Sequence, residues 1–274
     1  MESGSLQKEL LEHFQFSVDT PSASAFSQQR DKLLPQTFPF LFSEFNSLFS
    51  FQRDYKGCRL LACDGSDLNI AHDPKDADTY FQNHPTDKGF NQIHLNALYD
   101  LCEKRYTDVV VQHARKENEP LAMTQMIDRC PNQKKTIFIA DRGYETYNIF
   151  AHIQEKGMYY LIRVKDGGRG SMTGSFELPA AAEFDHAMSL ILTRKQTKEV
   201  KASLKQYKIL PKASPFDYLD LYDRKFYTLH FRVVRFAISE DSYELCDRIK
   251  LFPFKKGGVY HAGNLCAPDP LQLL

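Results

Sequence analysis

The sequence predicts an α/β fold with a mixed sheet, introduced by helices. Three observations point there. Two apolar runs, 59–63 and 136–140, have strand composition, and an aspartate directly follows each, Asp64 and Asp141. Helix start and stop signals alternate with strand signals between residues 58 and 165. The chain has 274 residues, 42% of them hydrophobic, which is enough for a packed core in one large domain or two small ones.

Residues 1–57 read as an N-terminal helical region. Leu6, Leu10, Leu11 and Phe14 recur at helical spacing. Thr20-Pro21-Ser22 is a start signal for a second helix that holds Phe26, Leu33 and Leu34 and ends at Pro35. Phe38, Phe40, Leu41, Phe42, Phe45, Leu48 and Phe49 form a third, strongly apolar segment, and its aromatic density reads as packing on a core.

Residues 58–165 carry strand candidates at 58–64, 67–71, 91–98 and 107–114. A helix at about 119–130 is introduced by Asn118-Glu119-Pro120. The strand 136–140 comes next, then a helix at 145–156 closed by Gly157, then a strand at 158–164. Asp166-Gly167-Gly168-Arg169-Gly170-Ser171 is a turn-rich break. It opens a β-rich part, 166–244, with a strong strand signal at 226–236. Residues 245–274 follow neither period, and no element of useful length can be drawn there.

Charge excludes little. Acidic and basic residues balance at 35 each, so a nucleic-acid surface has to be a local patch. The six cysteines contain no Cys-x-x-Cys pair, which argues against a zinc ribbon and for reduced core thiols. The sequence opens with no signal peptide and holds no apolar stretch long enough to span a bilayer, so the expectation is a soluble, cytoplasmic protein without a membrane partner.

Asp64 and Asp141 are the leading candidates for chemistry. Two strands that each deliver a carboxylate at the tip suit Mg²⁺ or Mn²⁺, singly or as two ions about 4 Å apart. Strand-end aspartates also cap turns, and pattern alone leaves both readings open. Asp67 and Asp73 read as surface or turn residues. Arg142 suits a phosphate contact or an exposed turn position equally. Tyr144, Tyr147 and Asn148 start the following helix and share its edge. Arg194, Lys195, Lys198, Lys201, Lys205, Lys208 and Lys212 form a basic stretch that reads either as a track for a phosphate backbone or as a solvated face. No histidine pair has zincin spacing, and no nucleophile elbow or phosphate loop is present.

Four segments carry a family resemblance. Ala62-Cys63-Asp64-Gly65-Ser66-Asp67-Leu68 and Ile139-Ala140-Asp141-Arg142-Gly143-Tyr144-Glu145-Thr146-Tyr147-Asn148 resemble the first and second catalytic-aspartate motifs of bacterial insertion-sequence transposases of the IS-four branch. The stretch from Thr20 to Leu33 resembles the helical lead-in of that family, and Gly89 to Asp100 one of its core strands. The resemblance covers about residues 5–244. It implies a ribonuclease-H-like core at 58–165, a β-rich insertion at 166–244, and cut-and-paste DNA transposition with two Mg²⁺ or Mn²⁺ ions. By matching position, the resemblance implies that Asp64 and Asp141 are metal ligands and that Arg142 and Tyr144 lie beside the active site, within reach of DNA; the basic stretch separately offers Arg194, Lys195, Lys198 and Lys201 as DNA-binding candidates. Implied partners are transposon ends, with self-pairing or pairing with a full-length transposase.

One departure stands out. The family's third carboxylate lies in Tyr-x-x-Arg-x-x-x-Glu-x-x-x-x-x-x-Lys, and residues 166–274 contain no match. The expectation is therefore a chain truncated at its C-terminal side, with 245–274 out of frame and catalysis lost. The alternatives are a DNA-binding remnant, or a metal nuclease that recruits Glu240, Glu244 or Asp67 as a substitute ligand.

Overall fold

A computed structural model of the chain describes residues 5–132, 135–164, 172–181, 183–222, 225–235 and 264–266. The chain divides into two compact units, 1–51 and 52–274.

The first unit holds α1 (Leu6–His13), α2 (Ala23–Arg30) and α3 (Thr37–Ser47). Ser5 and Ser22 cap the first two helices, accepting hydrogen bonds from the Lys8 and Ala25 backbone N–H groups. The second helix stops at Arg30, short of Leu33 and Leu34. Pro35 disfavours helical backbone at Leu34, so the helix could not run up to it. The third segment is helical as its composition suggests. Its apolar side chains are exposed, however, Phe38 and Phe40 by about three-fifths and Leu48 by 79%.

The second unit is an α/β structure on one mixed sheet, ordered β2-β3-β1-β5-β6-β10-β9-β7-β8, with β4 also paired to β3. In chain order the strands are β1 (Arg59–Ile70), β2 (Tyr80–Phe81), β3 (Phe90–Asp100), β4 (Arg105–His113), β5 (Thr136–Ala140), β6 (Tyr159–Ile162), β7 (Phe184–Thr193), β8 (Tyr207–Ile209), β9 (Phe226–Arg235) and β10 (Asn264–Cys266). The helices are α4 (Glu119–Arg129), α5 (Tyr147–Glu155) and the short α6 (Lys198–Ala202). β1 runs parallel to β5, and β5 to β6, while β1 and β3 pair antiparallel over ten residue pairs.

Two strand expectations merge. The segments 58–64 and 67–71 form one continuous strand, because β3 supplies pairing partners from Leu61 through Ile70. Its first half is buried on alternate residues, and the half beyond Asp64 is largely exposed. The core packs Leu61, Cys63 and Phe138 of the sheet against Met123, Met126 and Ile127 of α4 and Ile149, Phe150 and Ile153 of α5. Apolar residues at helical spacing on α4 and α5 create that face. β10 lies in the segment where no strand was drawn, and it pairs with β6 on one side and β9 on the other. Three residues are too few to show a period, so only partners could reveal it. The turn-rich break at 166–171, and Glu240 and Glu244, lie outside the described residues.

Candidate metal centre

Asp64 and Asp141 come level where the β1–β5 ladder ends; Asp141 follows the tip of β5 as expected, but Asp64 is not a strand tip, because pairing with β3 carries β1 on to Ile70. The parallel β1–β5 ladder runs from Arg59↔Thr136 to Ala62↔Ile139, and two further residues on each chain reach the aspartates. Both are exposed. Asp64 Oδ1 accepts a hydrogen bond from its neighbour Gly65 N–H at 2.9 Å. Asp141 Oδ1 accepts one from Gly143 N–H at 2.7 Å, which starts the single turn Arg142–Tyr144. One oxygen of each thus braces the local backbone, a capping role that leaves each carboxylate a second oxygen.

Glu119 stands at the same place, and the sequence reading passed over it as part of a helix start. It is the first residue of α4, followed by Pro120, and Asn118 caps the helix by accepting from Leu121 N–H. Gln112 of β4 fixes that cap from both sides: its Oε1 accepts from Asn118 N–H at 2.8 Å and its Nε2 donates to Asn118 C=O at 3.2 Å. At the other end of α4, Arg129 makes a two-pronged contact with Asp108 of β4. The helix start is therefore held rigidly over the sheet. A Cβ on Gly65 would overlap Glu119 Oε1 and come within 2.6 Å of His94 Nε2, so glycine is what lets these side chains approach.

His94 of β3 links this carboxylate to two more. Its register partner on β1 is Asp67, whose Oδ1 is 2.8 Å from Nδ1. Glu117 Oε2 is 3.3 Å from the same nitrogen, and Glu119 Oε1 is 3.2 Å from Nε2. Burial pushes the His94 pKa down, but the Asp67 hydrogen bond and the charges of Glu117 and Glu119 outweigh it, and the net shift is upward. Asp67 is exposed, as expected of a surface residue, and it also pairs with His94. It is tied across the sheet, because the strand continues past Asp64. One ligand atom from each of Asp67, His94 and Glu117 falls within 4.8 Å of the others, which is coordination-like spacing.

The layer beneath is apolar. Burial raises the Cys63 thiol to about 12, so it stays protonated and unreactive. Tyr144 is 1% exposed, and its hydroxyl lies beside Cys63. Tyr144, expected beside the active site, lies in the core beneath it, because the Arg142–Tyr144 turn swings its ring inward. Asn148 and His152 of α5 are buried too. Both contact Asp217, Asn148 through its side-chain amide and His152 through Nε2 at 2.9 Å.

The charged candidates divide. Arg142 is exposed at the site. Arg163 lies near it, its pKa lowered by burial and then by the charge of Arg142, with Asp141 opposing. Arg194 donates to the backbone carbonyls of Leu219, Pro211 and Ser214. Those bonds make it a staple for the 211–219 segment, and its side chain stays part-exposed. Lys195 sits over the Phe226 ring at 4.3 Å. Lys198 and Lys201 are exposed on α6.

A family model described as the transposase DDE domain matches residues 56–228, more than half of the chain. The chain belongs to the transposase DDE domain family. No curated protein matches it. The matched span covers β1, β5 and α4, so Asp64, Asp141 and Glu119 all lie inside the transposase domain. Such domains use divalent metal, and the residues here fit one. The donors are carboxylate oxygens suited to a hard cation, and Gly65 and Gly143 leave room for them. Among the described residues, no helix is long and apolar enough to cross a membrane.

Proposed function

We propose that this transposase domain acts on the ends of an insertion sequence of the IS-four branch, through a ribonuclease-H-like core, by metal-dependent strand cleavage and transfer in the cytoplasm. The observation that supports the reading most is the parallel β1–β5 ladder, which brings Asp64 and Asp141 level just beyond its last pair. The two aspartates hold the cations. Mg²⁺ or Mn²⁺ held there would supply Lewis-acid activation of the attacking oxygen and charge stabilisation of the leaving oxygen of a phosphodiester. Arg142, with Arg163 near it, positions the scissile phosphate. Lys198 and Lys201 add a backbone contact, and Lys195 borders them.

The second reading is a DNA-binding remnant that pairs with itself or with a full-length transposase. It is favoured by the absence of the Tyr/Arg/Glu/Lys motif from residues 166–274, with 245–274 read as out-of-frame sequence. Cleavage of DNA bearing terminal inverted repeats, in Mg²⁺ or Mn²⁺, separates the two. Strand cleavage that disappears in Asp64→Ala and in Asp141→Ala supports the first reading. Retained binding without any cleavage supports the second.

A further inference from the structure

His94 stands among three carboxylates, and its two ring nitrogens cannot serve them all. Nε2 faces Glu119 Oε1 at 3.2 Å. Nδ1 faces two groups at once, Asp67 Oδ1 at 2.8 Å and Glu117 Oε2 at 3.3 Å. A single N–H on Nδ1 follows the shorter contact and leaves Glu117 with charge but no hydrogen bond. Among the described residues, no lysine or arginine forms an ion pair with Asp67, Glu117 or Glu119. Even a fully protonated imidazole sets one positive charge against three negative ones. A divalent ion in place of the Nδ1 proton would satisfy both Asp67 and Glu117.

The atoms on the Nδ1 side are spaced as ligands are. Nitrogen and oxygen atoms that share one ion about 2.1 Å away stand roughly 3.0–3.4 Å from one another. Here the three donor atoms all lie within 4.8 Å of one another. Each is held in place by the fold. The β1–β3 ladder runs without a shift from Leu61 to Ile70 and sets Asp67 opposite His94. Glu117 closes the single turn Ala114–Lys116 and precedes Asn118, which Gln112 clamps from both sides. His94 is 5% exposed, while the Asp67 and Glu117 side chains are about half exposed, so a fixed ring faces an open approach. The far nitrogen completes the pattern. A ligating imidazole donates its other N–H to a carboxylate, which fixes its tautomer and its orientation. Glu119 stands where that carboxylate belongs.

The cluster is distinct from Asp64 and Asp141. Side chains alternate along a strand, so Asp67 shares the β1 face of Leu61 and Cys63, and Asp64 falls on the other face. The donors differ too. One imidazole with two carboxylates suits a transition-metal ion, whereas an all-carboxylate set suits Mg²⁺.

We infer that Asp67, His94 and Glu117 form a second cation site, for a divalent transition-metal ion bound through His94 Nδ1. Binding releases the Nδ1 proton to solvent, and Glu119 holds the ring from behind. The ion ties β1 and β3 to the segment that leads into α4, and it neutralises carboxylates that repel one another there. The inference does not rest on Asp64 and Asp141 being ligands.

Mn²⁺ binding to the full chain, followed by electron paramagnetic resonance, tests it without any catalytic readout. Spin-echo modulation in the same spectra detects a nitrogen bound directly to the ion. The Asp64→Asn/Asp141→Asn double variant, which neutralises the other centre, should still bind Mn²⁺ and show nitrogen modulation. On that background His94→Gln should abolish the modulation. Asp67→Asn and Glu117→Gln should each weaken binding by on the order of tenfold or more. No Mn²⁺ binding by the double variant overturns the inference and leaves the proposed function standing. Binding without nitrogen modulation overturns it, as does modulation that survives His94→Gln. Circular dichroism checks folding. Should His94→Gln not fold, the two exposed carboxylates carry the test, and unchanged affinity in either variant overturns the inference.

Discussion

Arg59 Nε lies 2.7 Å from Asp100 Oδ2, and both side chains are almost fully buried. The pair joins the first residue of β1 to the last of β3, at the end of the ladder away from the β1 tip. Asp100 Oδ1 also accepts from the Cys102 and Glu103 N–H groups and so closes the turn into β4. The strand that carries Asp64 is thus anchored at its base by charge, and its tip is left open to solvent.

Breaking that anchor should be expensive. Asp100→Ala leaves Arg59 buried without its partner carboxylate, and such a loss typically costs about 3–5 kcal/mol. Urea unfolding should show a lowered midpoint with an unchanged slope. A loss below about 1 kcal/mol would mean that the pair does not hold the strand.

Gly65→Ala separates the site from the fold. In a strand, alanine is intrinsically favoured over glycine by roughly 0.5–1 kcal/mol, so backbone propensity gives no reason to unfold. The new methyl would overlap the end of Glu119 and crowd His94 Nε2 at 2.6 Å. Both are side-chain atoms, and Glu119 can move. The expected result is Mn²⁺ affinity at the Asp67, His94 and Glu117 site reduced by on the order of tenfold with a nearly unchanged melting temperature. Retained affinity would show that the His94–Glu119 contact does not support that site.

Asp217 gives the fold an acid limit. Its carboxylate accepts a hydrogen bond from Asn148, which holds its pKa below the ordinary value; burial opposes the shift and His152 adds to it. A folded pKa below the unfolded one means stability that is present above the unfolded value, about 3.9, and lost as pH falls through the folded value. The stability difference between wild type and Asp217→Asn should therefore be constant from about pH 5 to 7 and shrink below about pH 4. Urea melts across that range check it. A difference that grows toward low pH would contradict the assignment.

The basic stretch should split into two behaviours. Arg194→Ala removes a charged donor from three backbone carbonyls and should cost about 1.5–3 kcal/mol of stability. Lys198→Ala and Lys201→Ala should leave stability within about 0.5 kcal/mol. Each should also reduce the slope of log affinity against log salt by about 0.9 if its ammonium neutralises a duplex phosphate. Filter binding at several salt concentrations, beside thermal melts, distinguishes the two. An unchanged slope in both lysine variants would remove α6 from the DNA surface.

The sequence determined much about this protein without help. Apolar runs ending in aspartate located β5 and the buried first half of β1, because a buried parallel strand must be apolar along its length, but pairing with β3 carries β1 on past Asp64 to Ile70. Asn118-Glu119-Pro120 placed the start of α4, because Asn118 satisfies an N–H group that every helix start leaves open, and Gly157 marked the close of α5 to within two residues. Tertiary structure decided the rest. Asp67 lies 27 positions from His94 in sequence, and Glu119 lies 54 positions beyond Gly65; only strand register and helix docking bring these residues together. Whether Tyr144 faced solvent, and whether Arg194 had donors to spare, depended on chain segments far from either. Local pattern reports what a segment tends to become. A charge cluster assembled from β1, β3, the start of α4 and the turn after β5 depends on distances between segments, which no local period encodes.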